Sequence, residues 1–180
     1  MQVVTKIVKK HRHEGIRVMF CGKDDWNEAA KIETEILSSI YDNEDFFFIV
    51  AYRPRKNDPD VKFCTEHGIE LINHDKNLVL AHPPTWESAG GLLLHLEKHN
   101  SMGIDAFVRQ KDADFKITFK ARNFKFYWTS WDYQRYWFMH LLSSLRAFVF
   151  FELEYPQMEI WHGDSYESDI ENAEAYIKKL

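Results

Sequence analysis

Ile104-Asp105-Ala106-Phe107-Val108 and, a few residues on, Phe115-Lys116-Ile117-Thr118-Phe119-Lys120-Ala121-Arg122 are the stretches on which the reading of the fold turns. In the second, Phe115, Ile117 and Phe119 alternate with Lys116, Thr118 and Lys120. That period of two puts apolar side chains on one face of a strand and polar ones on the other. Gln110-Lys111-Asp112-Ala113-Asp114 between them is short and polar, as a hairpin turn is. The pattern predicts antiparallel neighbours over 104–109 and 115–121, with Asp105 and Lys120 meeting at one edge of a small sheet.

Upstream, residues 15–22 read as a strand bounded by glycines. Asp24 or Asp25 caps a helix in which Ala29, Ile32, Ile36 and Ile40 recur at helical spacing. Residues 46–51 form an apolar run of the kind covered on both faces. Asp58-Pro59 opens a short helix that Gly68 ends. Strands follow over 69–72 and 78–81, then a helix from Trp86 to His99 with Leu92, Leu93 and Leu96 inward. Beyond the central stretches the pattern predicts a helix over 130–144, strands over 147–153 and 158–161, and an acidic helix over 166–179. This order predicts an α/β fold: a single compact domain over 1–180, with a mixed central sheet flanked by helices.

With Asp105 and Lys120 in place, the chain resembles the PD-(D/E)xK nuclease superfamily over about residues 103–162. That superfamily sets an Asp at the start of one strand and a D/E-x-K triplet on the next. The resemblance implies two acids binding Mg²⁺ or Mn²⁺, with the lysine beside the scissile phosphate. Asp105 and Lys120 stand at matching spacing, but Thr118 occupies the D/E position. The implied activity is therefore either a metal-dependent endonuclease or a catalytically degenerate relative. Glu33, Glu87 and Asp114 are replacement acids to consider; Glu87, at a helix start before the Asp105 strand, is the preferred metal partner of Asp105. The N-terminal half is also similar to SLOG-type Rossmann proteins, through Arg17-Val18-Met19-Phe20-Cys21-Gly22 and Ala89-Gly90-Gly91. Where that family has a glycine-rich phosphate loop, this chain has Tyr52-Arg53-Pro54-Arg55-Lys56. Bulky residues and a proline keep backbone N–H groups away from a phosphate.

Charge is segregated. The net charge is −5, yet residues 105–146 carry eight Lys or Arg against four Asp, and residues 147–177 carry eight acids and no base. Lys6, Lys9, Lys10, Arg12 and Arg17 face Glu14 alone near the start. Local basic surface of this kind suits a polyanion despite the acidic total. Arg122, Lys125 and Arg135 lie among Tyr127, Trp128 and other rings, and so are candidate nucleic-acid contacts, with Trp128 stacking on unpaired bases. Arg53 and Arg55 form a second basic loop.

His95 and His99 stand one helical turn apart, the spacing of a metal pair, but no third ligand is evident. Cys21 and Cys64 read as isolated small hydrophobes in a reduced, cytoplasmic setting. No apolar run has the length of a membrane span. No Walker loop, Gly-x-Ser-x-Gly elbow or Cys-x-x-Cys pair appears. Two functions follow as expectations: a nucleic-acid-acting protein of nuclease-like fold, of the kind carried by phages and mobile elements, or a non-enzymatic module binding a protein or a nucleotide. In the second, the basic-aromatic surface is the partner face.

Overall fold

The computed structural model describes residues 2–22, 25–52, 57–75, 78–99, 104–110, 139, 142–152 and 156–180. Its elements run β1 (Gln2–Lys10), β2 (His13–Cys21), α1 (Trp26–Tyr41), β3 (Phe46–Tyr52), α2 (Pro59–Glu66), β4 (Glu70–Asp75) and β5 (Leu78–His82). There follow α3 (Trp86–His99), β6 (Ile104–Arg109), β7 (Leu145–Glu152), β8 (Gln157–His162) and α4 (Ser168–Ile177). Three of the helices begin where the sequence supplies oxygen acceptors for orphan N–H groups. Asp25 accepts from the amides of Asn27 and Glu28, and Asp58 from those of Asp60 and Val61 ahead of Pro59. Thr85 and Ser88 cap α3 reciprocally, each side chain accepting from the other's amide. Gly68 follows α2 at φ +67°, a conformation a side chain would strain.

All eight strands join one sheet in the order β1-β2-β8-β7-β6-β3-β5-β4. The α/β class and the single domain agree with the expectation; the strand directions do not. Every pairing among the described strands is antiparallel, so the sheet is not mixed. The reason is topological. A helix makes neighbouring strands parallel only when it returns the chain to the adjacent position, and here β2 and β3, joined through α1, are separated by β8, β7 and β6.

Alternation along the strands divides the apolar residues between two layers. Ile16, Phe48, Ala106, Val149 and Ile160 point to one face, where they form a common core with Ile36, Leu37, Leu92, Leu93, Leu96 and Ile170 of the helices. Phe47, Phe107, Phe148 and Trp161 point to the other face and form a second buried cluster with Ile49, Leu80, Leu142 and Leu145. The apolar run of β3 is thus split between both layers, as its sequence predicts. Each fully buried Val, Leu, Ile or Phe among them contributes about 1.5–3 kcal/mol by leaving water. All four described helices belong to the first face. None of them is long and apolar enough to cross a membrane.

The hairpin read from the central stretches is corrected on its first strand. Over Ala106–Val108, β6 is flanked by β3 on one edge and β7 on the other. Neither edge of β6 is therefore open to a further strand there. Residues 115–121, and most of the helix expected over 130–144, lie outside the described residues.

Candidate functional site

The two ends of the sheet differ sharply. β4 is six residues long, its register with β5 shifts between Asn73 and Asp75, and α2 packs beside it. Shortness, irregularity and a covering helix are three ways in which an edge strand is kept from pairing with another chain. β1 has none of them. It pairs with β2 residue for residue from Gln2↔Cys21 to Lys10↔His13, without a bulge. Its other edge pairs with no described strand. His11, at φ 54°, turns the chain between the two strands. Val4 and Ile7, in the middle of β1, are 37% and 36% exposed; the only other exposed large hydrophobic among the described residues is Leu180. Val3 packs on the first core and Val8 on the second cluster, so the strand is anchored on both faces while its centre stays open.

Behind the edge, a polar row crosses the second face of the sheet. Register sets Lys6 opposite Arg17, Arg17 opposite Glu159, Glu159 opposite Phe150 and Phe150 opposite Asp105. Arg17 Nε donates to Glu159 Oε1 at 2.8 Å and Nη2 reaches the same oxygen at 2.7 Å. The indole of Trp161 donates to Oε2 at 3.0 Å. Glu159 is almost wholly buried and thereby has both oxygens satisfied, which burial of a carboxylate demands. Gly15 makes room for the ring: a Cβ there would stand 2.8 Å from the indole and 2.7 Å from the Ile160 carbonyl. The row fixes the hairpin rigidly to the sheet. It holds Arg17 to Glu159, whereas outside the row Lys9 meets Glu14 at 2.5 Å and Arg12 meets Asp164 at 3.5 Å through exposed ion pairs. Lys6 has no ion-pair partner among the described residues.

On the helical face, α1 and α3 enclose two acids. Glu33 lies in the apolar stripe of α1, 2% exposed, and Glu97 in that of α3. Burial, and then the neighbouring Glu97, hold Glu33 well above the usual carboxylate range. Burial pushes Glu97 up to about 7. The Oε2 atoms of both are buried and unpartnered among the described residues. Outside this pair, α1 and α3 border a groove of about 390 Å³ that includes Thr34, Trp86, Glu87, Gly90 and Gly91.

Between α2 and α3, Phe63 is stacked by His67 at 3.9 Å and by His95 at 4.0 Å. His95 Nε2 lies 3.1 Å from Asp60 Oδ1, and its ring is 4.5 Å from that of His99. Burial lowers the His95 pKa and raises that of Asp60. Cys64 is fully buried, and burial pushes its thiol up to about 12, the reverse of what a nucleophile needs. The His95–Asp60 pair ties two helices together.

The residues singled out in the sequence scatter. Asp105 alternates with Ile104 and Ala106, which face the helices, so its side chain belongs to the second face. Glu87 is exposed on α3, on the first face. The sheet stands between them, and they do not fit one Mg²⁺ or Mn²⁺. No group of three or more His, Cys, Asp or Glu suited to a metal occurs among the described residues. Lys120, Thr118, Arg122, Lys125, Trp128, Arg135, Arg53 and Arg55 lie outside the described residues. Sequence reading missed the open edge of β1 and the Glu33–Glu97 pair. The second had a signal, a carboxylate at an inward position of an apolar stripe. Comparison with protein-family models, with curated proteins and with solved structures finds no match.

Proposed function

We propose that this chain is a non-enzymatic binding module that adds an extended segment of a partner protein to its sheet along β1. The observation that carries this reading is the character of that edge: nine residues, unbulged, with Val4 and Ile7 exposed at its centre. An exposed strand edge presents a row of N–H and C=O groups, and main-chain pairing there supplies affinity while alternate side chains supply specificity. Anchoring of the hairpin through Arg17 and Glu159 supports the reading, because a preformed edge spares the partner the ordering of both strands. The separation of Asp105 from Glu87 turns the preference from catalysis toward binding. Exposed apolar side chains beside an open main-chain edge favour a peptide over a phosphate backbone, which would leave both in water.

The test is a display library of extended seven-residue segments panned against the protein, with proline placed at Thr5 or at Lys6 as the counter-selection. One of these two positions directs its N–H outward, and proline there blocks the edge while leaving the β1–β2 ladder intact. Enriched segments should lose binding to that variant, whose unfolding midpoint stays within a few degrees of the parent's. Enriched segments that bind the blocked variant equally well would refute the reading.

A further inference from the structure

Resting on the edge reading above, we infer the chemistry of the captured strand: it is acidic where it faces the lysines of β1 and apolar where it faces Val4, Ile7 and Val8. Between Gln2 and Arg12 the chain carries four cations and no acid. Three of them, Lys6, Lys9 and Lys10, are on β1 itself. Alternation sets Val4, Lys6, Val8 and Lys10 on the second face of the sheet and Thr5, Ile7 and Lys9 on the helical face. Residues directly opposite in an antiparallel pair interact, favourably for opposite charges and unfavourably for like ones. A strand running antiparallel to β1 therefore reads, from Lys10 to Val4, acid-acid-apolar-apolar-acid-polar-apolar.

The same charges argue against the other occupants. A second copy of β1 paired antiparallel over its full length sets Lys6 directly against Lys6 and joins two strands that each carry three lysines and no acid. Its own net charge thus guards this edge against self-association while leaving it open to an acidic strand. A nucleic acid would use the charge but leave the main-chain edge, Val4 and Ile7 in water. Lys9 is held by Glu14 only through an exposed ion pair, and such pairs contribute little, so an incoming acid displaces it readily.

The experiment uses three labelled peptides, EEVVETV, QQVVQTV and KKVVKTV, titrated into the full chain at low salt. Fluorescence anisotropy reads affinity, and the amide resonances of residues 2–10 read location. EEVVETV should bind about tenfold more tightly than QQVVQTV, the order expected for three cross-strand ion pairs, and KKVVKTV least. Lys6→Glu, an exposed change, should shrink the preference for EEVVETV by about threefold or more. Equal affinities for EEVVETV and QQVVQTV, with β1 amides shifted by both, would overturn the acidic partner and leave the edge reading standing. No shift of β1 amides by any peptide would overturn both. Binding of single-stranded or duplex DNA in place of peptide, or a two-chain mass by sedimentation, would each overturn the inference in favour of that occupant.

Discussion

Raising the pH from 5 to 8 should weaken the fold through the acids between α1 and α3. The folded protein holds the Glu97 proton to about 7 against an ordinary value of 4.5. Between those values the folded state binds more protons than the unfolded chain, so this group's contribution to stability falls as pH rises and levels off above about 7. The gap corresponds to at most about 3 kcal/mol, and solvent access to part of the side chain reduces it to about 2 kcal/mol. Glu33, raised by burial and by Glu97, acts in the same direction. His13 and His95 oppose it: burial lowers both below 6.5, so their contribution grows as pH rises toward that value. Comparison with Glu97→Gln reads the acid pair, since it removes both the Glu97 titration and its push on Glu33. In urea unfolding, a loss of about 2 kcal/mol lowers the midpoint by about 1 M. The parent's midpoint relative to the variant's should therefore drop by about 1 M between pH 5 and pH 8. A difference that stays constant, or changes sign, would refute the assignment of a buried carboxyl pair.

Three further outcomes follow from the packing. Gly15→Ala should cost about 1–3 kcal/mol, because its Cβ strikes the Trp161 ring and a carbonyl, and should shift the tryptophan emission; an unchanged thermal midpoint would contradict the contact. Arg146 donates to both oxygens of Asp169 at 3.1 Å and pairs with Glu44, so Arg146→Ala should destabilise by about 3–5 kcal/mol by leaving Asp169 buried and uncompensated. Calorimetry of Arg146→Ala beside the double variant with Asp169→Asn checks this, since the second change should restore part of the loss. Cys21 is exposed and Cys64 buried, with its thiol pushed up to about 12, so a thiol reagent at pH 8 should modify one cysteine quickly and the second only on unfolding. Rapid reaction of both would contradict the burial of α2.

Local structure was legible where the chemistry is local. Asp25, Asp58-Pro59 and Gly68 mark helix ends by supplying acceptors, a fixed φ or a left-handed turn, and the structure uses each of them so. The unbroken apolar run of β3 announced burial on both faces, and Phe47 and Phe48 do enter different clusters. Sheet order was not legible. Nothing near α1 records that β2 and β3 end up separated by three strands, so an alternating order of strands and helices suggested a sheet with parallel pairs. The candidate metal pair failed for a related reason: alternation fixes the face of Asp105 relative to Ile104, but only the assembled core shows which face α3 covers. The basic N-terminal segment was visible as charge. That it forms the terminal strand of the sheet depends on β2 pairing with β8, far away in sequence.

Hydrogen exchange along β1 tests the binding edge most directly. In the free protein, amides of β1 alternate between protected groups bonded to β2 and fast-exchanging groups directed outward. Saturating EEVVETV should slow the outward set over residues 4–10 and leave the α1/α3 groove unchanged, and proline at the blocking position should abolish the slowing. Binding that leaves the outward amides of β1 in fast exchange would contradict strand addition.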